Sequence, residues 1–183
     1  MRWFPLLCAG LVLLAAACVS DDARYNQALE HLEALEMRVD TGFSAARAHN
    51  PVILAADAWD MPDALKDALA AAAETMAGTV VDQKARIAHE ASILEFEFLT
   101  SSPDTRVLYL MDLDAQRAKL AIFNVTLEMY QVLKKEVDGG TRSGFEELAR
   151  TYSAGIEAAN HRYQELDLAR QRKQGAPEPG SGI

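Results

Sequence analysis

The sequence predicts an all-α protein, an antiparallel up-down-up-down four-helix bundle with long helices. Three observations carry this. Apolar residues recur three and four apart over four long stretches, the spacing that lines one face of a helix. Those stretches are separated by breakers: Asn50-Pro51, Ser102-Pro103 and Gly139-Gly140. The connections are mostly short, which makes consecutive helices antiparallel neighbours.

The first helix is expected from Asp21 to about His49. Tyr25, Ala28, Leu32, Leu35, Val39, Gly42 and Ala46 form its apolar seam, widened by Leu29 and Phe43. Pro51 breaks the pattern at Asn50, because a residue before proline is driven out of the helical region. Residues 51–59 then read as an apolar connector without a clear period. Asp60 is the expected N-cap of the second helix, with Pro62 in its first turn and Asp63 near the positive helix end.

The second helix should run from about Met61 to Leu99. Its seam is Leu65, Leu69, Ala72, Met76, Val80, Gln83, Ile87, Ala91, Leu94 and Phe98. The alanine-rich opening admits a close neighbour, and Gly78 is a candidate bend. Ser102-Pro103-Asp104 restarts the chain as N-cap, first helical residue and first-turn acid.

In the third helix Leu108, Met111, Ala115, Ala118, Ile122, Val125, Met129 and Val132 alternate three and four apart. Leu113, Leu120 and Leu127, with Phe123, Tyr130 and Val137, broaden that face, so this helix should be buried against more than one neighbour. Gly139-Gly140 stops it. Ser143 and Glu146 are spaced as a capping box for the fourth helix. Its seam is Phe145, Leu148, Tyr152, Ile156, Ala159, Tyr163 and Leu166. Helices of roughly 28 to 39 residues would be rods of about 40–60 Å. Residues 175–183, with Pro177, Pro179 and three glycines, are expected to be disordered.

The N-terminus carries a different signal. Arg2 precedes an apolar stretch, and Ala15-Ala16-Ala17 lead directly into Cys18. That is the layout of a secretory signal with a small-residue cleavage site. Ending on cysteine, it resembles the lipobox of bacterial lipoproteins, although Leu14 stands four residues before the cysteine where the family usually places leucine three before. The resemblance implies cleavage between Ala17 and Cys18, a diacylglycerol on the Cys18 thiol and acylation of its new amino group. Ala15-x-Ala17 also suits the ordinary signal peptidase, which would release a soluble form. An uncleaved anchor is the third reading, but the apolar stretch barely reaches the ~20 residues that a bilayer span needs.

Cysteine usage favours lipidation. Cys8 falls inside the signal, so the processed chain keeps Cys18 alone and has no internal disulfide. Two or more acyl chains anchor stably. Val19 follows the cysteine; by similarity to enterobacterial lipoproteins, which typically carry Asp there when retained at the inner membrane, it implies the outer membrane, facing the periplasm. The expected organisation is a lipoprotein signal over 1–17, a helical bundle over 18–174 and a tail over 175–183.

Composition bounds the function. The 183 residues carry 27 acidic against 18 basic side chains, a net charge of −9. Such a chain lacks the electrostatic footprint for DNA or RNA, so no nucleic-acid partner is expected. No Glu-x-x-His supports a di-iron site and no Cys-x-x-Cys-His attaches a haem, so neither metal nor cofactor is expected. His31, His49, His89 and His161 fall beside or off the seams. Met76, Met111 and Met129 read as core filler. Glu30, Glu33, Glu36 and Asp40 read as a solvated outer face, and Glu95/Glu97 and Asp112/Asp114 diverge on a helix. No nucleophile elbow, phosphate loop or zincin motif occurs, so no enzyme is expected.

Two features remain. Val52, Ile53, Leu54 and Trp59 are a candidate partner-docking patch, or else a lid over one end of the core. Arg170, Arg172 and Lys173 cluster at the last helix end, where they suit the helix dipole or, at the membrane side, lipid headgroups. The sequence therefore points first to a lipid-anchored interaction or assembly protein with an envelope protein as partner. A bundle that holds a small apolar molecule is the alternative. A closed core favours the first; a pocket with inward polar groups favours the second, and Gln83 on the second seam is the residue to inspect.

Overall fold

The computed structural model describes residues 21–57, 62–97, 102–139 and 143–174. The protein is all-α, and among these residues α-helix is the only regular secondary structure. The helices are α1 (Asp21–Arg47), α2 (Pro51–Asp57), α3 (Pro62–Glu97), α4 (Pro103–Gly139) and α5 (Ser143–Lys173). Ala17, Cys18, Trp59, Asp60 and the 175–183 tail lie outside the described residues.

Residues 51–57 correct the sequence reading, which expected an irregular connector. Asn50 is an N-cap: its Oδ1 accepts the Val52 N–H at 2.9 Å, with Pro51 as first helical residue. The same Asn-Pro pair that ends α1 thus starts α2, and two turns are too short to show a period. Ser102 acts as foreseen for α4, its Oγ facing the Thr105 N–H at 3.4 Å. The start of α5 is capped from across the turn, where Glu136 Oε1 accepts the Gly144 N–H at 2.8 Å. Gly78 lies within an unbroken α3.

Three interfaces hold the helices together: α1 on α3, α3 on α4 and α4 on α5, with α2 resting on α4. Along α1–α3 the register falls as α1 rises. Tyr25 stacks on Phe96, Glu36 pairs with Arg86 at 3.1 Å, and Arg38 pairs with Asp82 at 3.0 Å. Gly42 passes so close to Thr79 that a Cβ there would overlap its Oγ1. Along α4–α5, Asp112 pairs with Arg170 at 3.2 Å and Asp114 with Arg162 at 2.7 Å, again in falling register. Across the array α1 meets α4 in rising register, through Asp40–Lys119, Phe43–Phe123 and Ala46–Tyr130. Among the described residues, α1 and α5 share no comparable interface.

The main apolar core sits toward the α2 end. Val39 and Ala46 meet Leu69 and Met76 of α3, Phe123, Tyr130 and Leu133 of α4, and Phe145 of α5; Leu54 of α2 packs against it. Two seams are rotated from expectation. In α4 Ala115 and Met129 of the expected seam are fully buried, but Phe123, Tyr130 and Leu133 share that depth, whereas Ile122 and Val125 are half-buried. A strict three-four alternation has a 3.5-residue period and drifts about 20° per heptad around a straight helix. In α3 the lower seam passes through Arg86 and Ile93 rather than Ile87, Ala91 and Leu94. Hydrophobicity cannot flag Arg86, because it is buried by virtue of its partners.

Candidate functional site

The missing α1–α5 interface leaves a groove, and a cavity of about 550 Å³ occupies it. Phe43, Phe123, Ile122, Tyr152 and Ile156 form its apolar walls. Ile122, Tyr152 and Ile156 are only half-buried because no helix covers that side. Asn50 and Pro51 close one end beneath α2, and Tyr163 stands at the other. Tyr130, also in the lining, is fully buried and turns its hydroxyl away to donate to the Ala46 carbonyl at the α1 terminus.

The floor is a polar layer built from α1, α3 and α4. Arg86, 5% exposed, donates from Nη1 to Gln116 Oε1 at 2.6 Å and from Nη2 to Glu36 Oε1 at 3.1 Å. Its Nε lies 3.1 Å from Glu90 Oε1, an ion pair without hydrogen-bond alignment. Gln83, fully buried, donates from Nε2 to the Gln116 carbonyl oxygen at 3.0 Å and to Gln116 Oε1 at 3.2 Å. Its own Oε1 is buried without a hydrogen-bond partner, as are both oxygens of Glu90.

This layer perturbs its acids. Burial pushes the Glu90 carboxyl up to about 7; the Arg86 guanidinium opposes the shift, and Asp112 and Glu36 add to it. Burial likewise pushes the Tyr163 hydroxyl up to about 12, with Arg86 opposing and Asp112, Glu90 and Asp40 reinforcing. Tyr163 therefore stays a neutral hydroxyl across the physiological range.

Two cations stand over the aromatic walls. Lys119 pairs with Asp40 at 2.9 Å and lies 5.7 Å from the Phe123 ring centroid. Arg47 stands 5.7 Å above the Phe43 ring. Each is an ammonium or guanidinium on an aromatic face, a contact that fixes the side chain's position at the rim.

The sequence-derived candidates fare unevenly. Val52 and Ile53 are exposed at 46% and 65%, whereas Leu54 turns inward onto the core. The patch is thus divided between solvent and lid, and its fourth member, Trp59, is outside the described residues. Gln83 is inward and polar, as the seam implied. Arg86, Glu90, Gln116 and the groove-facing role of Glu36 were missed. Glu36 is half exposed, as its three- and four-residue steps to Glu33 and Asp40 imply, and it lines the groove from that outer face. Of the basic cluster, Arg170 is engaged by Asp112 and Asp167, and Lys173 reaches the Thr105 hydroxyl.

Among the described residues no group of three or more His, Cys, Asp or Glu is placed to hold a metal ion, and no helix is long and apolar enough to cross a membrane. His31 and His89 meet edge to face at 5.8 Å, away from the groove lining. The chain matches no family model, no curated protein and no solved structure.

Proposed function

We propose that this chain is a lipid-anchored protein of the bacterial envelope whose antiparallel up-down-up-down bundle, open along α1–α5, binds a small amphipathic molecule. The observation that carries the reading is the groove itself. A cavity of about 550 Å³ with aromatic and aliphatic walls and a few convergent polar groups has the size and composition of a small-molecule site. The opposed registers of α1–α3 and α4–α5 support the antiparallel order, with α2 as a short cap. The groove's cations are held in ion pairs, Arg86 with Glu36 and Glu90 and Lys119 with Asp40, so the role proposed is binding rather than catalysis.

The anchor rests on the Ala15-Ala16-Ala17-Cys18 motif, and the outer-membrane site on Val19. Asp21, the first described residue, begins α1 only three residues after Cys18. At no more than about 3.6 Å per residue, the start of α1 then lies within roughly 11 Å of the lipidated cysteine. The groove, lined from Glu36 onward, lies toward the α2 end, away from the membrane.

The assembly role is the second reading, favoured by one observation, the exposure of Val52 and Ile53 on α2. A photo-crosslinking residue at Tyr152, inside the groove, separates the two when irradiated in native envelopes. The binding reading expects a covalent adduct of small-molecule mass. A protein adduct from Tyr152, with none of small mass, would contradict it and support assembly.

A further inference from the structure

We infer that the end of the bundle where α4 begins and α5 finishes is a membrane-docking face, seating the exposed side chains of Val107, Leu110 and Leu168 in the lipid headgroup layer. This rests on the lipid anchor proposed above and goes beyond it: an anchor tethers a domain, whereas this face orients it.

The opening of α4 gives the first reason. Val107-Leu108-Tyr109-Leu110-Met111 are five consecutive apolar or aromatic residues. Five residues exceed one full turn, so their side chains point all round the helix. None is buried: Val107 and Leu110 are each 54% exposed, and Leu108, Tyr109 and Met111 are half-buried. α4 joins the main core from Leu120 onward, so that core does not claim this stretch. A helical turn apolar on every side belongs in an apolar setting, and a run of exposed apolar residues marks a contact surface.

The end of α5 completes the face. Lys173 donates to the Thr105 hydroxyl, and Arg170 pairs with Asp112 at 3.2 Å, which pins the last turns of α5 beside the first turns of α4. Leu168, on those last turns, is a further exposed apolar residue. Val107, Leu108 and Ala169 line a cleft between the two helices together with Asp104, Arg172 and Lys173. Long cationic side chains beside apolar ones suit a headgroup boundary, where the stem lies in the apolar layer and the charge reaches outward.

Placement selects the membrane as the occupant. α1 meets α4 in rising register, so both helices begin at this end of the bundle. Tyr25 of α1 stacks there on Phe96, which is itself exposed near the end of α3. Asp21 follows Cys18 by three residues, at most about 11 Å of chain. A lipid on Cys18 therefore holds this end, and not the α2 end, at the bilayer surface. The headgroup layer there is roughly 5–8 Å thick, and a lean of the bundle toward α4 and α5 brings the exposed residues into it. A chain of net charge −9 is not drawn as a whole to anionic lipid, so the contact is apolar and should persist in salt.

The test uses the full lipidated chain in vesicles of zwitterionic phosphatidylcholine. Acylation blocks the Cys18 thiol, so a nitroxide attaches only at an introduced cysteine: Leu110→Cys, Leu168→Cys or Val81→Cys, the last an exposed control on α3 at 64%. Oxygen concentrates in lipid and a nickel chelate stays in water. The ratio of their collision rates should be about threefold or more higher at positions 110 and 168 than at 81, and the difference should persist in about 1 M salt. Val107→Glu with Leu110→Glu changes only exposed positions and should return a label at Leu168→Cys to the ratio of the control. Equal ratios at all three positions, a difference abolished by salt, or a label at 168 unmoved by the double substitution would overturn the apolar docking face and leave the anchor standing. Spin–spin broadening at Leu110→Cys would overturn it in favour of a second copy of the chain. A chain that takes the label at Cys18 and does not float with the vesicles would overturn the anchor and the face with it.

Discussion

Arg86 Nη1 donates to Gln116 Oε1 at 2.6 Å, a charge-assisted bond that ties α3 to α4 in the floor of the groove. The same guanidinium holds Glu36 of α1 and Glu90 of its own helix, so one side chain joins three elements. Its removal leaves the Glu90 carboxyl buried without a counter-charge. Arg86→Met is expected to cost roughly 3–5 kcal/mol in equilibrium urea unfolding. Arg86→Met combined with Glu90→Leu should recover most of that loss, because no lone charge remains inside.

Glu90 should also give the protein a measurable pH dependence. Its carboxyl titrates at about 7 in the folded chain against an ordinary 4.5, because burial penalises the charged form. The folded state therefore holds this proton more tightly than the unfolded state. The contribution is fully present below pH 4.5 and is lost as pH rises through about 7, a change of roughly 3 kcal/mol. The stability difference between wild type and Glu90→Gln should follow that course, with the variant gaining relative stability from pH 5 to 8. A constant difference across that range would show that Glu90 is solvated.

Gly42 sets the α1–α3 separation. Glycine to alanine inside a helix ordinarily stabilises by up to about 1 kcal/mol. Here the added Cβ would overlap Thr79 Oγ1, on a residue only 2% exposed. Gly42→Ala is expected to destabilise by about 1–3 kcal/mol. Gly42→Ala with Thr79→Ala should restore stability, since the offending oxygen is gone.

Phe123 and Ile122 are adjacent on α4 but do different things. Phe123 is 1% exposed in the core, so Phe123→Ala should lose about 3–5 kcal/mol in thermal or urea unfolding. Ile122 faces the groove, and Ile122→Ala should cost markedly less. Equal losses would place Ile122 in the core, where the unbroken apolar spacing of α4 had put it.

That pair shows how far the sequence reaches. The four long helices, their boundaries and the Ser102-Pro103 start are written in local chemistry: caps, prolines and apolar period. The half of α3 from Leu65 to Gln83 is legible for the same reason. Legibility stops where burial depends on a partner far along the chain. Arg86 and Gln116 look like surface residues until 30 residues of sequence separation are folded away between them. The groove itself is a missing interface between the first and last helices, and no local pattern records that two amphipathic faces fail to meet. Short α2 escaped because its N-cap doubles as the end of α1.

The proposed localisation rests on Cys18. Cys18→Ser should accumulate an uncut precursor and lose labelling by a fatty-acid analogue. Release of a processed, soluble form from that variant would instead assign cleavage to the ordinary signal peptidase at Ala17.

Native mass spectrometry of the chain extracted from its own membranes compares wild type with Ile156→Trp, which fills the groove from a wall position without entering the core. Wild type should carry a discrete non-covalent small-molecule adduct that survives lipid exchange, and Ile156→Trp, with unchanged melting temperature, should lack it. An adduct retained by both proteins, or carried by neither, would contradict a ligand held between α1 and α5.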